Sequence, residues 1–218
     1  MYSVIVAAGG SGRRTGLTER KIWVALNGTP VIEHTVRAFE ADDACMQIVI
    51  AAHPEDVTRL AKTFKDRATV VEGGLTRTES VHAGLSLTIA PYVLVHDAAR
   101  PCVTQDVLTR LKAALKHHDA VSLAVPVVDT LKQTHGDLLG ATLAREKLVA
   151  VQTPQAFIRE KLMVAYGRWV QAGKTAYPCD ASLYQAMLAE PVHYVLGART
   201  NIKFTTLDDI ALLEAVLS

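Results

Sequence analysis

Two hydrophobic rhythms alternate along this chain, and they limit the folds open to it. Short β-branched runs at residues 3–7, 47–52, 68–71, 92–96 and 120–125 are mostly apolar without clean alternation. That is the pattern of strands covered on both faces. Between them, residues 31–40, 55–65, 76–87 and 106–116 carry helical spacing, and residues 207–217 close the chain as a helix. Strands returned by crossover helices lie parallel, so the alternation predicts an α/β fold with a mainly parallel sheet. Thr76 with Glu79, and Thr206 with Asp209, have capping-box spacing at two helix starts. Residues 127–151 break the rhythm, being polar with Gly136 and Gly140, and read as an arm leaving a single domain that spans 1–218.

Charge and cysteine usage narrow the function classes. Across 218 residues, 23 Lys and Arg nearly cancel 22 Asp and Glu, so the net charge of +1 gives no electrostatic reason for a nucleic-acid or membrane-surface partner. Phosphate binding must then come from a local cluster of cations. Cys45, Cys102 and Cys179 are odd in number and form no C-x-x-C pair, which argues against a disulfide framework or structural zinc and for a reducing compartment. The apolar run at the N-terminus is too short for a signal segment, and no stretch approaches a membrane span. The expectation is a cytoplasmic protein.

The strongest local signal is Ala7-Ala8-Gly9-Gly10-Ser11-Gly12-Arg13-Arg14, directly after the first strand, with Lys21 a few residues on. Glycines let backbone N–H groups approach phosphate oxygens, and the cations supply the charge. A plain structural turn is the alternative, but cations crowded into one loop repel unless an anion joins them. No Gly-Lys-Ser/Thr follows, so this is not a Walker loop. Thr15 stands where the third glycine of a dinucleotide fingerprint belongs, and the second strand ends at Ala52-His53 with no acidic residue for a ribose.

Four further segments fall where loops leave the strands' C-terminal ends: Gly73-Gly74-Leu75-Thr76-Arg77-Thr78-Glu79-Ser80, His96-Asp97-Ala98-Ala99-Arg100-Pro101, Pro126-Val127-Val128-Asp129-Thr130-Leu131-Lys132 and Asn201-Ile202-Lys203-Phe204-Thr205. With the N-terminal loop and Thr153-Pro154-Gln155-Ala156-Phe157 they form an ordered set, from residue 4 to about residue 217, that resembles the 2-C-methyl-D-erythritol 4-phosphate cytidylyltransferase family. The resemblance implies a Rossmann-like three-layer sandwich of the nucleotide-diphospho-sugar transferase type with a protruding dimerisation arm. It implies transfer of CMP from CTP to a sugar-alcohol phosphate.

The same resemblance assigns Arg14, Lys21 and Lys203 as catalytic cations near the α-phosphate, and Ala7, Ala8, Gly9, Gly10, Gly12, Gly74, Ser80 and Asp97 as nucleotide-binding positions. It places Ala98, Arg100, Thr130, Arg145 and Thr153 on the acceptor side. It further implies Mg²⁺, or another divalent cation, held mostly by the phosphates, and a homodimer in which Arg145 on the 127–151 arm reaches into the other subunit's site. His96 beside Asp97 suggests an acid/base pair, yet an acceptor phosphate ionised near neutral pH needs only positioning and charge neutralisation. Tyr177-Pro178-Cys179-Asp180-Ala181-Ser182 stands where the family usually has Thr-Asp-Asp-Ala-Ser, and Leu75 where an acidic residue is common. Another polyol phosphate, such as ribitol 5-phosphate, is therefore the alternative acceptor, and a nucleotide-binding homologue without turnover is the alternative class.

Overall fold

The computed structural model describes residues 1–10 and 19–218. Its centre is a seven-stranded sheet built from β1 (Tyr2–Ala8), β4 (Cys45–Ala52), β5 (Thr69–Glu72), β6 (Tyr92–Asp97), β7 (Ala120–Pro126), β10 (Val149–Ile158) and β11 (His193–Leu196). The strand order is β11-β7-β10-β6-β1-β4-β5. Every neighbour pair is parallel except those made by β10, which runs antiparallel to both β6 and β7. The sheet is thus mainly parallel, as the sequence predicts, with one reversed strand in its interior.

The pleat divides the core. In β1, Val4 and Val6 face one side and Ile5 the other. On the first side they pack against α1 (Val31–Glu40), α2 (Val57–Thr63) and α4 (Gln105–Ala114) through residues such as Phe39, Leu60 and Leu111. On the second lie α3 (Arg77–Leu85), α5 (Arg159–Gln171) and α6 (Asp180–Leu188), with Leu85, Trp169 and Tyr184 in the core. Covering both faces is what lets the strands run apolar without alternation. A third cluster forms around Leu26, Phe204 and Leu213 of α7 (Asp209–Leu217) and holds the C-terminal segment against the domain.

The expected helix at 55–65 divides into a short 3-10 turn, Pro54–Asp56, and α2. The Thr76 box forms in full: the Glu79 backbone N–H donates to the Thr76 hydroxyl oxygen at 3.1 Å, and the Glu79 carboxylate accepts from the Thr76 N–H at 2.8 Å. At the last helix only the carboxylate half forms, with Asp209 accepting from the N–H groups of Thr205 and Thr206. The small hairpin β2 (Ala25–Leu26) to β3 (Thr29–Pro30) turns through Asn27 and Gly28, both at positive φ. A second hairpin, β8 (Lys132–His135) with β9 (Leu138–Thr142), forms a separate two-stranded sheet in the expected arm. Residues 149–151, at the end of that stretch, instead open β10 of the main sheet.

Candidate functional site

The C-terminal ends of β1, β4, β5 and β6 deliver their loops to one edge of the sheet, where an open parallel sheet binds its ligands. A cleft of about 780 Å³ opens there. Ala7, Ala8, Gly9 and Gly10 line one side, Gly74 and Ser80 another, and Asp97, Ala98, Lys21 and Lys203 complete it. Gly12 and Arg14 lie outside the described residues.

Ser80 explains two of the glycines. Its buried hydroxyl donates to the Thr76 carbonyl at 2.9 Å, and a Cβ on either Gly9 or Gly73 would come within 2.6 Å of that hydroxyl oxygen. Side chains at these positions would fill the space where the β1 and β5 loops approach. His53 and the exposed Leu75 also border the cleft.

A second pocket of about 340 Å³ adjoins the first, and both include Arg77, Asp97 and Lys203 in their walls. Arg100 and Thr153 line it, with Pro178, Cys179 and Ser182 on the far side. Asp97 is the post between the two. Its Oδ2 accepts from Lys203 Nζ at 2.6 Å, and its Oδ1 accepts from Arg77 Nε at 2.8 Å. Burial alone would raise the Asp97 carboxyl, but the Arg77 guanidinium and the Lys203 ammonium outweigh it and hold the group well below the usual carboxylate range. Asp97 is therefore a fixed anion whose two oxygens are taken by cations.

Thr153 and His96 set that post. His96 Nε2 lies 3.0 Å from the Arg100 carbonyl oxygen, which can only accept, so Nε2 carries the proton. Its Nδ1 then accepts from the Thr153 hydroxyl at 3.2 Å, and Thr153 Oγ1 in turn accepts the Asp97 backbone N–H at 3.0 Å. Burial pushes the His96 imidazole down to about 4, so it is neutral at physiological pH. A fully buried, neutral ring with both nitrogens engaged is a structural tie.

Arg77 and Arg100 both line the second pocket, and among the described residues Arg77 Nη2 and Arg100 Nε are buried without a hydrogen-bond partner. An unsatisfied buried guanidinium nitrogen is costly, and two guanidinium groups on the wall of one pocket suit an anion. Lys21 sits across the larger cleft, its Nζ 3.4 Å from the Phe204 carbonyl oxygen and so beside the segment that carries Lys203.

Ala98, expected on the acceptor side, lines the larger cleft instead. Thr130 and Arg145 line neither pocket within the single chain. Both are exposed on the arm, where Arg145 Nη1 donates to the Val128 carbonyl. Sequence reasoning does not single out Arg77 and Asp180, although each lies in a quoted segment; their partners are distant in the chain and only the fold brings them together.

No group of three or more His, Cys, Asp or Glu side chains among the described residues is placed to hold a metal. With both Asp97 oxygens engaged, these residues offer no ready cage for a divalent ion. No helix among the described residues is long and apolar enough to cross a membrane.

The family model IspD, 2-C-methyl-D-erythritol 4-phosphate cytidylyltransferase, matches residues 1–218. A protein of that name from Bacillus cytotoxicus is 37% identical over 223 residues, covering 100% of this chain and 98% of the relative. One from Halalkalibacterium halodurans is 38% identical over 224 residues, covering 100% of this chain and 97% of the relative. The crystal structure of 2-C-methyl-D-erythritol 4-phosphate cytidylyltransferase from Thermus thermophilus superposes with a TM-score of 0.84 at 33% identity, covering 99% of this chain and 97% of that one.

Proposed function

This chain belongs to the 2-C-methyl-D-erythritol 4-phosphate cytidylyltransferase family, and on that premise we propose that it transfers CMP from CTP to 2-C-methyl-D-erythritol 4-phosphate, releasing pyrophosphate. The observation that carries the reading is the shared wall: a large cleft and a smaller pocket meet at Arg77, Asp97 and Lys203. CTP occupies the larger cleft, its base toward Gly74 and Ser80 and its phosphates toward Gly9, Gly10 and Lys21. The acceptor occupies the smaller pocket, its phosphate toward the guanidinium groups of Arg77 and Arg100.

The reaction then needs only alignment and charge. An acceptor phosphate oxygen attacks the α-phosphorus, the bond from that phosphorus to the bridging oxygen breaks, and pyrophosphate leaves with the electron pair. Lys203, at the boundary of the two pockets, and Lys21 offset the charge that builds on the α-phosphate oxygens. Arg14 is proposed as a further cation of this set. A divalent cation is proposed to arrive on the triphosphate oxygens, and no step is assigned to it.

The arm supports a homodimer. Leu138, Leu139 and Leu143 are exposed there in the single chain, and exposed apolar side chains on a hairpin outside the main sheet favour a partner surface. Arg145 and Thr130, remote from this chain's own pockets, then serve the neighbouring subunit. Sedimentation at assay concentration should give a dimer; a fully active monomer would remove the arm from the account. A cytoplasmic location is proposed with the reading, on the composition and the three unpaired cysteines.

The test is pyrophosphate release across the common nucleoside triphosphates and a set of sugar-alcohol phosphates. CTP with methylerythritol phosphate should exceed every other pair by at least about tenfold, the scale of 1.4 kcal/mol. A preference for ribitol 5-phosphate would overturn the acceptor, and CTP binding without turnover on any acceptor would overturn the reaction.

A further inference from the structure

Asp180 is a buried carboxylate that the reaction as described leaves unused. It is 1% exposed and lines neither pocket. Its position is strongly determined. It opens α6, where the helix N-terminus favours an anion. Tyr166 of α5 donates to its Oδ1 at 2.7 Å, and the next residue's N–H donates to Gln155 Oε1 of β10 at 2.9 Å. Three elements hold this carboxylate in place.

What it holds in turn is Arg77. Arg77 Nη1 donates to Asp180 Oδ2 at 2.7 Å while its Nε donates to Asp97 Oδ1 at 2.8 Å. Arg77 is the first residue of α3, where the positive end of a helix disfavours a cation, so it depends on the two carboxylates. Bound at two edges, the planar guanidinium cannot rotate, and Nη2 is left buried without a partner. Lys203 competes for the same Asp97. Without Asp180, Arg77 would press its full charge on Asp97 and loosen the Asp97–Lys203 contact.

We propose that Asp180 is a positioning residue for cytidylyl transfer, acting through Arg77 to keep Asp97 shared with Lys203 at the wall common to the two pockets. The inference rests on the transferase reading above. Asp180 touches neither substrate; its effect passes through one side chain.

That single route is what a double-mutant cycle reads. Asp180→Asn keeps the shape and the Tyr166 hydrogen bond but presents no charge to Arg77. It should lower kcat on the order of 10- to 100-fold, the cost of a small misplacement at the reacting centre, while the KM for CTP moves less than about threefold. Arg77→Lys, which cannot bridge two carboxylates, should lose a similar amount, and adding Asp180→Asn to it should cost less than about twofold more. Tyr166→Phe removes the other partner of Asp180 without touching Arg77, and should lower the melting temperature with kcat within about threefold of wild type.

Effects of Asp180→Asn and Arg77→Lys that multiply would overturn the proposal, as would an Asp180→Asn protein that loses stability but keeps its kcat. If Asp180→Asn does not fold, the Arg77→Lys variant decides: unimpaired turnover in that protein overturns the proposal. Wild-type protein that releases no pyrophosphate from CTP in the same assay would defeat the transferase reading instead, so the two failures are distinguishable.

Discussion

Lys203→Met should lower kcat by about 100- to 1,000-fold, with the KM for CTP changed less than about tenfold, because the lost charge matters most as the α-phosphate passes through its transition state. An ammonium carries three donors, and one is committed to Asp97 at 2.6 Å, which fixes the group where the two pockets meet. The other two have no bond among the described residues and can face phosphate oxygens on either side. Methionine retains the length and apolar stem of the side chain, and Asp97 keeps its bond from Arg77, so the fold survives the change. Equal urea midpoints alongside the lost turnover would separate chemistry from folding. Turnover within about threefold of wild type would remove Lys203 from the reaction.

His96 sets the second large effect, and it concerns stability. In the unfolded chain its imidazole binds a proton below its ordinary value of 6.5, but in the folded protein burial pushes that value down to about 4. Between those limits the unfolded state holds a proton that the folded state refuses. Stability is therefore complete above about pH 6.5, falls as the pH drops toward about 4, and loses nothing more from this group below that. At 1.36 kcal/mol per unit, the window is worth about 3 kcal/mol. His96→Gln removes the titration at the cost of about 1 kcal/mol in lost hydrogen bonding at pH 7. Urea unfolding should thus show the wild-type advantage at pH 7 shrinking and reversing by pH 4.5. Parallel pH profiles for the two proteins would contradict the neutral, Nε2-protonated ring.

Asp97 acts in a neighbouring window with the same direction. Its folded-state value lies well below the ordinary 3.8, so the stability it contributes is present above that value and is lost as the pH falls further. Acid unfolding of this protein draws on His96 first and Asp97 second.

Much of the sheet was legible because its strands are covered on both faces and carry little else than apolar residues. β10 was hidden for the opposite reason. Its interior holds Gln152, Thr153, Pro154 and Gln155, a run that reads as a loop because proline cannot serve a central ladder and buried amides need partners. The partners exist only in the fold: Gln155 donates to the Ser122 hydroxyl and accepts the Ala181 N–H, while Gln152 bonds to the Ala198 backbone. The Thr153–Pro154 bond is cis and lies at the irregularity in the β10 pairing with β7. The Asn27-Gly28 hairpin, by contrast, carries a local signal in its two residues.

The site divides in the same way. Asp97 and the segments around Gly9 and Gly73 stand at strand ends, where a local pattern marks them, whereas Lys21 and Lys203 lie farther along their loops and are reached only through the ordered set of motifs. The bonds of Arg77 span 20 residues to Asp97 and 103 to Asp180, and no local pattern announces such pairs. The role of the smaller pocket likewise depends on the antiparallel strand that delivers Thr153 beside Asp97.

The most direct test of the two-pocket account is a crystal structure with a non-hydrolysable CTP analogue and methylerythritol phosphate bound together. The α-phosphorus should lie at the shared wall beside Lys203 Nζ, with the acceptor phosphate between Arg77 and Arg100 and in line with the bond to be broken. An acceptor bound away from the smaller pocket, or an α-phosphate remote from Lys203, would contradict it.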